Sequence, residues 1–144
     1  MDEINRQIME ELQQDGRLSM TELGRRVSLS VPAVKERVMR LEEQGVITGY
    51  HAKVDPDRVG KTVKAFILMK THRCKAFRSF CREHADVMEC HRLTGEYSYL
   101  VKLVTGTNAE LEDFIDAAME YGEPYTMMNL SSPVPGKPLT VEEA

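Results

Sequence analysis

The sequence predicts an α+β chain built of an N-terminal helix-turn-helix (winged-helix-like) domain joined to a C-terminal ferredoxin-like βαββαβ sandwich domain. Three observations predict it. Before residue 45, apolar residues recur at helical spacing in three runs, and only Ser28-Leu29-Ser30 separates the second run from the third. After residue 62, alternating and helical patterns follow one another in the order strand-helix-strand-strand-helix-strand. Between the two lies a turn-rich stretch containing Asp55-Pro56-Asp57 and Gly60.

The first helix is set by Ile4, Ile8 and Leu12, with Asp2 and Glu3 suited to the positive end of the helix dipole and Asp15-Gly16 ending it. Ser19-Met20-Thr21-Glu22 has the form of a capping box and starts the second helix, whose buried face is Leu23 and Val27. Ser30 caps a third helix, in which Pro32 is tolerated because a first-turn residue loses no intrahelical donor. Val34, Val38 and Leu41 form its buried side and Gly45 stops it. Gly45 to Tyr50 reads as a turn leading into a strand.

Residues 1–50 are thus expected to be the helix-turn-helix domain, 51–61 a hinge with a linker strand, 62–132 the second domain and 133–144 a poorly ordered, Pro-rich tail. Thr62 to Thr71 is apolar on both sides: Val63, Ala65, Ile67 and Met69 face one way, Phe66 and Leu68 the other. Lys75 to His84 is a helix carrying Phe77, Phe80 and Cys81. Val87 to Leu93 and Tyr97 to Thr105 are strands about a turn at Thr94-Gly95-Glu96. Asn108 caps a helix bearing Leu111, Phe114, Ile115, Ala118 and Met119, and Tyr125 to Ser132 is the last strand. Two helices cover only one face of such a sheet. The other face is therefore expected to pack on another subunit, which predicts a homodimer.

Charge narrows the function. The chain carries a net −4, which argues against a general nucleic-acid coater. From Arg17 to Arg40, however, Arg17, Arg25, Arg26, Lys35, Arg37 and Arg40 face only Glu22 and Glu36, a window of +4 in a net acidic chain. In a helix-turn-helix the final helix enters the major groove, so double-stranded operator or promoter DNA is the expected partner. The candidate DNA-contacting residues are Ser19, Ser30, Val31, Pro32, Ala33, Lys35, Glu36, Arg37 and Arg40. Arg37 and Arg40 would reach bases or phosphates, Lys35 and Glu36 groove edges, and Val31 and Ala33 thymine methyl groups.

Other chemistries lack support in the sequence. His72, Cys74, Cys81, His84, Cys90 and His91 do not form a tetrahedral metal-ligand spacing, and no nucleophile-base-acid set is apparent. No Walker-type or dinucleotide glycine pattern occurs, so neither a cofactor nor an enzyme activity is expected. The three cysteines read as free thiols. No apolar run approaches the roughly 20 residues that span a bilayer, and the N-terminus lacks a signal-peptide pattern, so a cytoplasmic, nucleoid-associated protein without membrane contact is expected. The nine methionines suit core and interface filling.

The ordered set Asp15-Gly16-Arg17-Leu18-Ser19, Glu22 to Ser30, Val34 to Glu42, Gly45 to Tyr50, Val54-Asp55-Pro56, Val59-Gly60 and Thr94 to Leu100 resembles the Lrp/AsnC family of leucine-responsive, feast/famine transcription regulators over nearly the whole chain. The resemblance implies an amino acid or related small metabolite bound near Gly95 between subunits. It also implies homodimers assembled further, as an octamer (tetramer of dimers). By position it carries over Thr94, Gly95, Glu96, Tyr97 and Ser98, with Thr126 and Met128 on the last strand. Family members often have Asp or Asn where this chain has Ser98. The alternative expectation is a stand-alone metabolite-binding protein without DNA binding, against which the intact basic window argues.

Overall fold

The computed structural model describes residues 1–142. Met1–Lys53, together with the chain from Val134 onward, forms one unit, and Val54–Pro133 forms a second.

In the first unit, helix α1 runs Glu3–Gln14, α2 Met20–Val27 and α3 Val31–Glu43. Each begins on a side-chain cap that satisfies an otherwise orphaned amide. Asp2 accepts from the Asn5 N–H at 2.8 Å, Ser19 from Glu22 at 3.0 Å and Ser30 from Ala33 at 3.4 Å. The expected capping box at Ser19 is only half formed. The Glu22 carboxylate turns away from the Ser19 backbone to Arg25 and Arg26, whose charged donors bind a carboxylate more strongly than a neutral amide does. The turn between α2 and α3 is tight: Ser28 adopts a left-handed conformation (φ 59°) and the Leu29 N–H reaches the Gly24 carbonyl at 2.9 Å. Ile8, Leu23, Val34 and Leu41 meet in the core.

Two expectations for this unit are corrected. Residues 45–62 hold no strand: the one expected after Gly45 is absent, and the linker strand expected over 51–61 is irregular chain leading into a 3-10 turn over Pro56–Val59. A strand exists by ladder pairing, and here Pro56 has no N–H while the Asp55 side chain takes the Asp57 amide at 3.0 Å. The tail, read as poorly ordered, instead packs on α1. Gln13 Nε2 donates to the Leu139 carbonyl at 3.0 Å, the Leu139 N–H donates back to Gln13 Oε1 at 2.7 Å, and Val141 packs against the core.

The second unit is a four-stranded antiparallel sheet in the order β2-β3-β1-β4, the ferredoxin-like order, with β1 Val63–Thr71, β2 Val87–Arg92, β3 Tyr99–Thr105 and β4 Gly122–Met128. Helices α4 (Cys74–Glu83) and α5 (Asn108–Ala118) cover one face. Ala65, Ile67 and Met69 of β1 and Tyr99, Val101 and Leu103 of β3 point to that face and pack with Phe77, Cys81, Leu111 and Phe114. The other face of β1 is only half-buried at Phe66 and Leu68, so the strand expected to be covered on both sides is covered on one within this chain.

The cap of α5 lies one residue earlier than expected. Thr107 accepts from the Glu110 N–H at 3.1 Å and Glu110 returns to the Thr107 amide, completing a capping box. Strand β4 begins at Gly122 rather than at Tyr125 and ends at Met128. At Gly122 a Cβ would lie 1.8 Å from the Lys70 carbonyl, so only glycine lets β4 approach β1 there.

Candidate nucleic-acid interface and effector loop

The buried side of α3 is Val34, Val38 and Leu41, which leaves Pro32, Lys35, Glu36, Met39 and Arg40 on its exposed side. Of the candidate DNA contacts, Ser19 and Ser30 are exposed N-caps, and Val31, Ala33 and Arg37 are half-covered. Met39, 50 % exposed, shares the outer side with Lys35 and Arg40. Its place four residues after Lys35 was the available signal, but an apolar residue at helical spacing reads as core.

The structure separates the basic residues by partner. Arg37 Nη1 binds Asp2 Oδ2 at 2.6 Å and Asn5 Oδ1 at 3.2 Å, so its guanidinium joins α3 to the start of α1. The Asn5 N–H first, and Arg37 next, hold the Asp2 carboxyl below its usual range. Arg40 pairs with Glu36 at 2.5 Å along the outer side of α3. Arg25 and then Arg26 pull the Glu22 carboxyl down to about 2. Lys35 makes no ion pair among the described residues.

The loop between β2 and β3 holds the other candidates. Gly95 has φ 102°, a left-handed conformation that favours glycine. The loop is closed by the Leu93 N–H on the Ser98 carbonyl and fixed to β1 by the Ser98 N–H on the Met69 carbonyl, both at 2.8 Å. Among the described residues the N–H groups of Thr94, Gly95 and Glu96 have no acceptor. Glu96 pairs with Lys70 at 2.7 Å, the Lys70 ammonium lies 5.5 Å from the centre of the Tyr97 ring, and that ring is 6.2 Å from Tyr125.

Sequence reasoning does not find Lys70 and Tyr125, because their approach to the loop comes from strand pairing rather than from local spacing. Thr126 and Met128 do not join this cluster within the chain. They lie opposite Ile67 and Ala65, in register with the helix-covered face, whereas Tyr125 lies opposite Leu68 on the uncovered face.

Among the described residues no three His, Cys, Asp or Glu side chains stand close enough to share a metal ion, and no helix is long and apolar enough to cross a membrane.

A helix-turn-helix head followed by a ferredoxin-like effector unit defines a class: DNA-binding transcriptional regulators that respond to a small molecule, rather than enzymes. Residues 1–48 match the winged helix-turn-helix DNA-binding model and residues 62–139 match the Lrp/AsnC ligand binding domain model, so the chain belongs to the Lrp/AsnC family. It is 50% identical over 132 residues to the HTH-type transcriptional regulator YezC of Bacillus subtilis, covering 92% of this chain and 95% of that protein. The solved structure of LrpC from the same organism superposes with a TM-score of 0.90 at 33% identity, over 94% of this chain and 99% of that one. A transcriptional regulator of Neisseria meningitidis, solved in complex with L-methionine, gives a TM-score of 0.91 at 25% identity over 96% of each chain.

Proposed function

We propose that this regulator reads an operator through the exposed side of α3 and is tuned by a free amino acid held at the 93–98 loop. The observation that carries the effector reading is the pairing of opposite polarities in one place. The unclaimed amides about Gly95 suit a carboxylate, and beside them the Glu96 carboxylate suits an ammonium group. A zwitterion needs both. Ser98 contributes a hydroxyl rather than a charge, which leaves Glu96 as the acid of the loop.

Thr126 and Met128, in register with the helix-covered face, complete the site from a copy in a neighbouring dimer rather than from the partner packed on the uncovered face. Support for a homodimer comes from the uncovered sheet face, where Phe66, Leu68 and Leu100 are half-buried and Tyr125 and Met127 are 55% and 36% exposed. The dimer presents two copies of α3 to successive major-groove faces, and further assembly to an octamer bends the operator. The effector shifts this assembly by binding one arrangement more tightly than the other. The protein works in the cytoplasm on the nucleoid.

The test is a binding titration on the DNA upstream of its own gene against a scrambled duplex, at physiological salt and with a panel of amino acids. Preference for the upstream duplex, shifted by one amino acid and no longer shifted in Glu96→Gln, is expected. Preference unmoved by every amino acid would overturn the effector reading and keep the DNA reading. Light scattering reports the assembly.

A further inference from the structure

The strongest unassigned feature of the second unit is a cleft of about 380 Å³ between α4 and edge strand β2, on the helix-covered side of the sheet and away from the Tyr97–Tyr125 cluster. Arg78 and Arg82, four residues apart on α4, line one wall. Arg92 and Cys90 of β2 line the other, and Tyr99, which pairs with Arg92 across the strands, closes the floor beside Cys81.

Two independent features make this a built site. The first is charge. None of the three guanidiniums has an ion pair or hydrogen bond among the described residues, whereas Arg25, Arg26, Arg37, Arg40 and Arg58 each have a carboxylate partner. The single acid of the cleft, Glu89, is already engaged, by His91 at 3.0 Å and Lys102 at 3.3 Å. Three like charges gathered without an anion repel one another, and in a net acidic chain such an arrangement is uncompensated.

The second feature is the Tyr99 hydroxyl. Tyr99 is 1% exposed, and its oxygen is the one buried side-chain polar atom among the described residues without a hydrogen-bond partner. The Cys74 thiol is near enough to act on it, but does not meet the distance and angle of a hydrogen bond. A buried unpartnered hydroxyl costs roughly the desolvation of that group, so its presence at the cleft calls for an explanation, and a bound acceptor would supply one. Tyr99 lines the cleft together with Arg78, Arg82 and Arg92; burial and then Cys74 raise its hydroxyl above the usual phenol range, and the charges of Arg78 and Arg92 oppose that rise.

We propose that the α4–β2 cleft is an anion site for a small metabolite bearing a phosphate or carboxylate group, gripped by Arg78, Arg82 and Arg92 with the Tyr99 hydroxyl donating to one oxygen. Guanidinium forks match such oxyanions with paired N–H donors, and the cleft volume suits a metabolite-sized molecule. The site is separate from the proposed amino-acid loop and stands or falls without it.

The probe is inorganic phosphate, with a neutral osmolyte at equal osmolality as control. The local readout is alkylation of exposed Cys90 by iodoacetamide, followed by peptide mass mapping. Phosphate is expected to slow Cys90 alkylation and to raise Tm. The double variant Arg82→Ala/Arg92→Ala, both at exposed positions, is expected to weaken the protection at least about tenfold. Tyr99→Phe keeps the ring in the core, so it is expected to leave Tm without phosphate unchanged or higher while lowering the gain from phosphate. Protection of Cys90 that survives in the double variant, or no protection in the wild type at about ten times physiological phosphate, overturns the proposal. The amino-acid response on DNA is expected to be intact in the double variant, which separates failure here from failure of the effector loop.

Discussion

Arg37 of α3 reaches the N-cap residue of α1, Asp2, across 2.6 Å, so a charge that by sequence belongs to the DNA-contacting set is spent inside the protein. This divides the basic residues into two experimental groups. Arg37→Ala is expected to destabilise the helical unit and to weaken DNA binding indirectly, with an effect that shrinks when folding is restored by an osmolyte. Lys35→Ala is expected to leave stability unchanged and to weaken binding across all sequences. For each phosphate that the protein no longer neutralises, the slope of log K against log salt should fall by about 1. Arg40→Ala should also weaken binding, because Glu36 holds Arg40 on the outer side of α3 without burying it. Urea melts set beside salt titrations check both groups. Equal salt slopes for wild type and Lys35→Ala would remove Lys35 from the interface.

Gly24 makes the turn into α3. A Cβ at this position would sit 2.7 Å from the Leu29 carbonyl oxygen, inside van der Waals contact with backbone that cannot move without breaking the turn. Gly24→Ala would normally favour a helix. Here the steric term wins, and a loss of about 1–3 kcal/mol is expected by urea denaturation. Gly16→Ala, where the added carbon meets its nearest neighbour at 3.6 Å, is the control expected to be near neutral. Equal effects of the two substitutions would show that the turn yields.

Acid should loosen the helical unit in a definite pH window. Hydrogen bonds from Arg25 and then Arg26 hold the Glu22 carboxyl at about 2, below its ordinary 4.5, and Asp2 is also lowered. A depressed folded-state pKa means that the ionised form is favoured by folding. Its contribution is therefore complete above the unfolded value and disappears as pH falls through the folded one. Tm is expected to hold from pH 7 to about 5 and to decline between about 4.5 and 2. Glu22→Gln should flatten part of that decline and lower Tm slightly at neutral pH, since these pairs are exposed and weak. A decline of the same steepness in the variant would assign the acid sensitivity elsewhere.

How far the sequence could be read depends on the range of each interaction. Ser19, Ser30 and the Val34, Val38, Leu41 stripe announce the helices because a cap or a buried face involves residues within a turn or two of each other. The sheet was legible because alternation along β1 and β3 is local, and the order of elements leaves few ways to pair them. The loop between β2 and β3 was legible from Gly95 and its neighbours, which are contiguous. What stayed hidden was set by distant partners. Asp2 and Arg37 lie 35 residues apart, Lys70 meets Glu96 only after β1 and β3 pair, and the choice of Glu22 between an amide and two arginines is decided by charge competition. The arginines of the α4–β2 cleft look solvated when read one at a time, and only the packing of α4 on the sheet gathers them.

The tail gives the last prediction. A segment of Pro, Gly and polar residues suggests disorder, yet Leu139 exchanges two hydrogen bonds with the side chain of Gln13, 126 residues away, and Val141 is half-buried on the helical core. The amide of Gln13 acts here as a short strand would, donating and accepting in one plane, which fixes the extended backbone at a single residue. Removing the chain after Pro133 is expected to destabilise the helical unit by about 1–2 kcal/mol, from hydrogen bonds worth about 1 kcal/mol together and the burial of Val141 that goes with them. Gln13→Ala alone should cost the smaller part and free the tail, seen as faster amide exchange at Leu139. Combined with the truncation, Gln13→Ala should add little, since both remove the same interaction. Additive effects of the two changes would mean that Gln13 and the tail act separately, and the docking would then not be what orders the C-terminal segment.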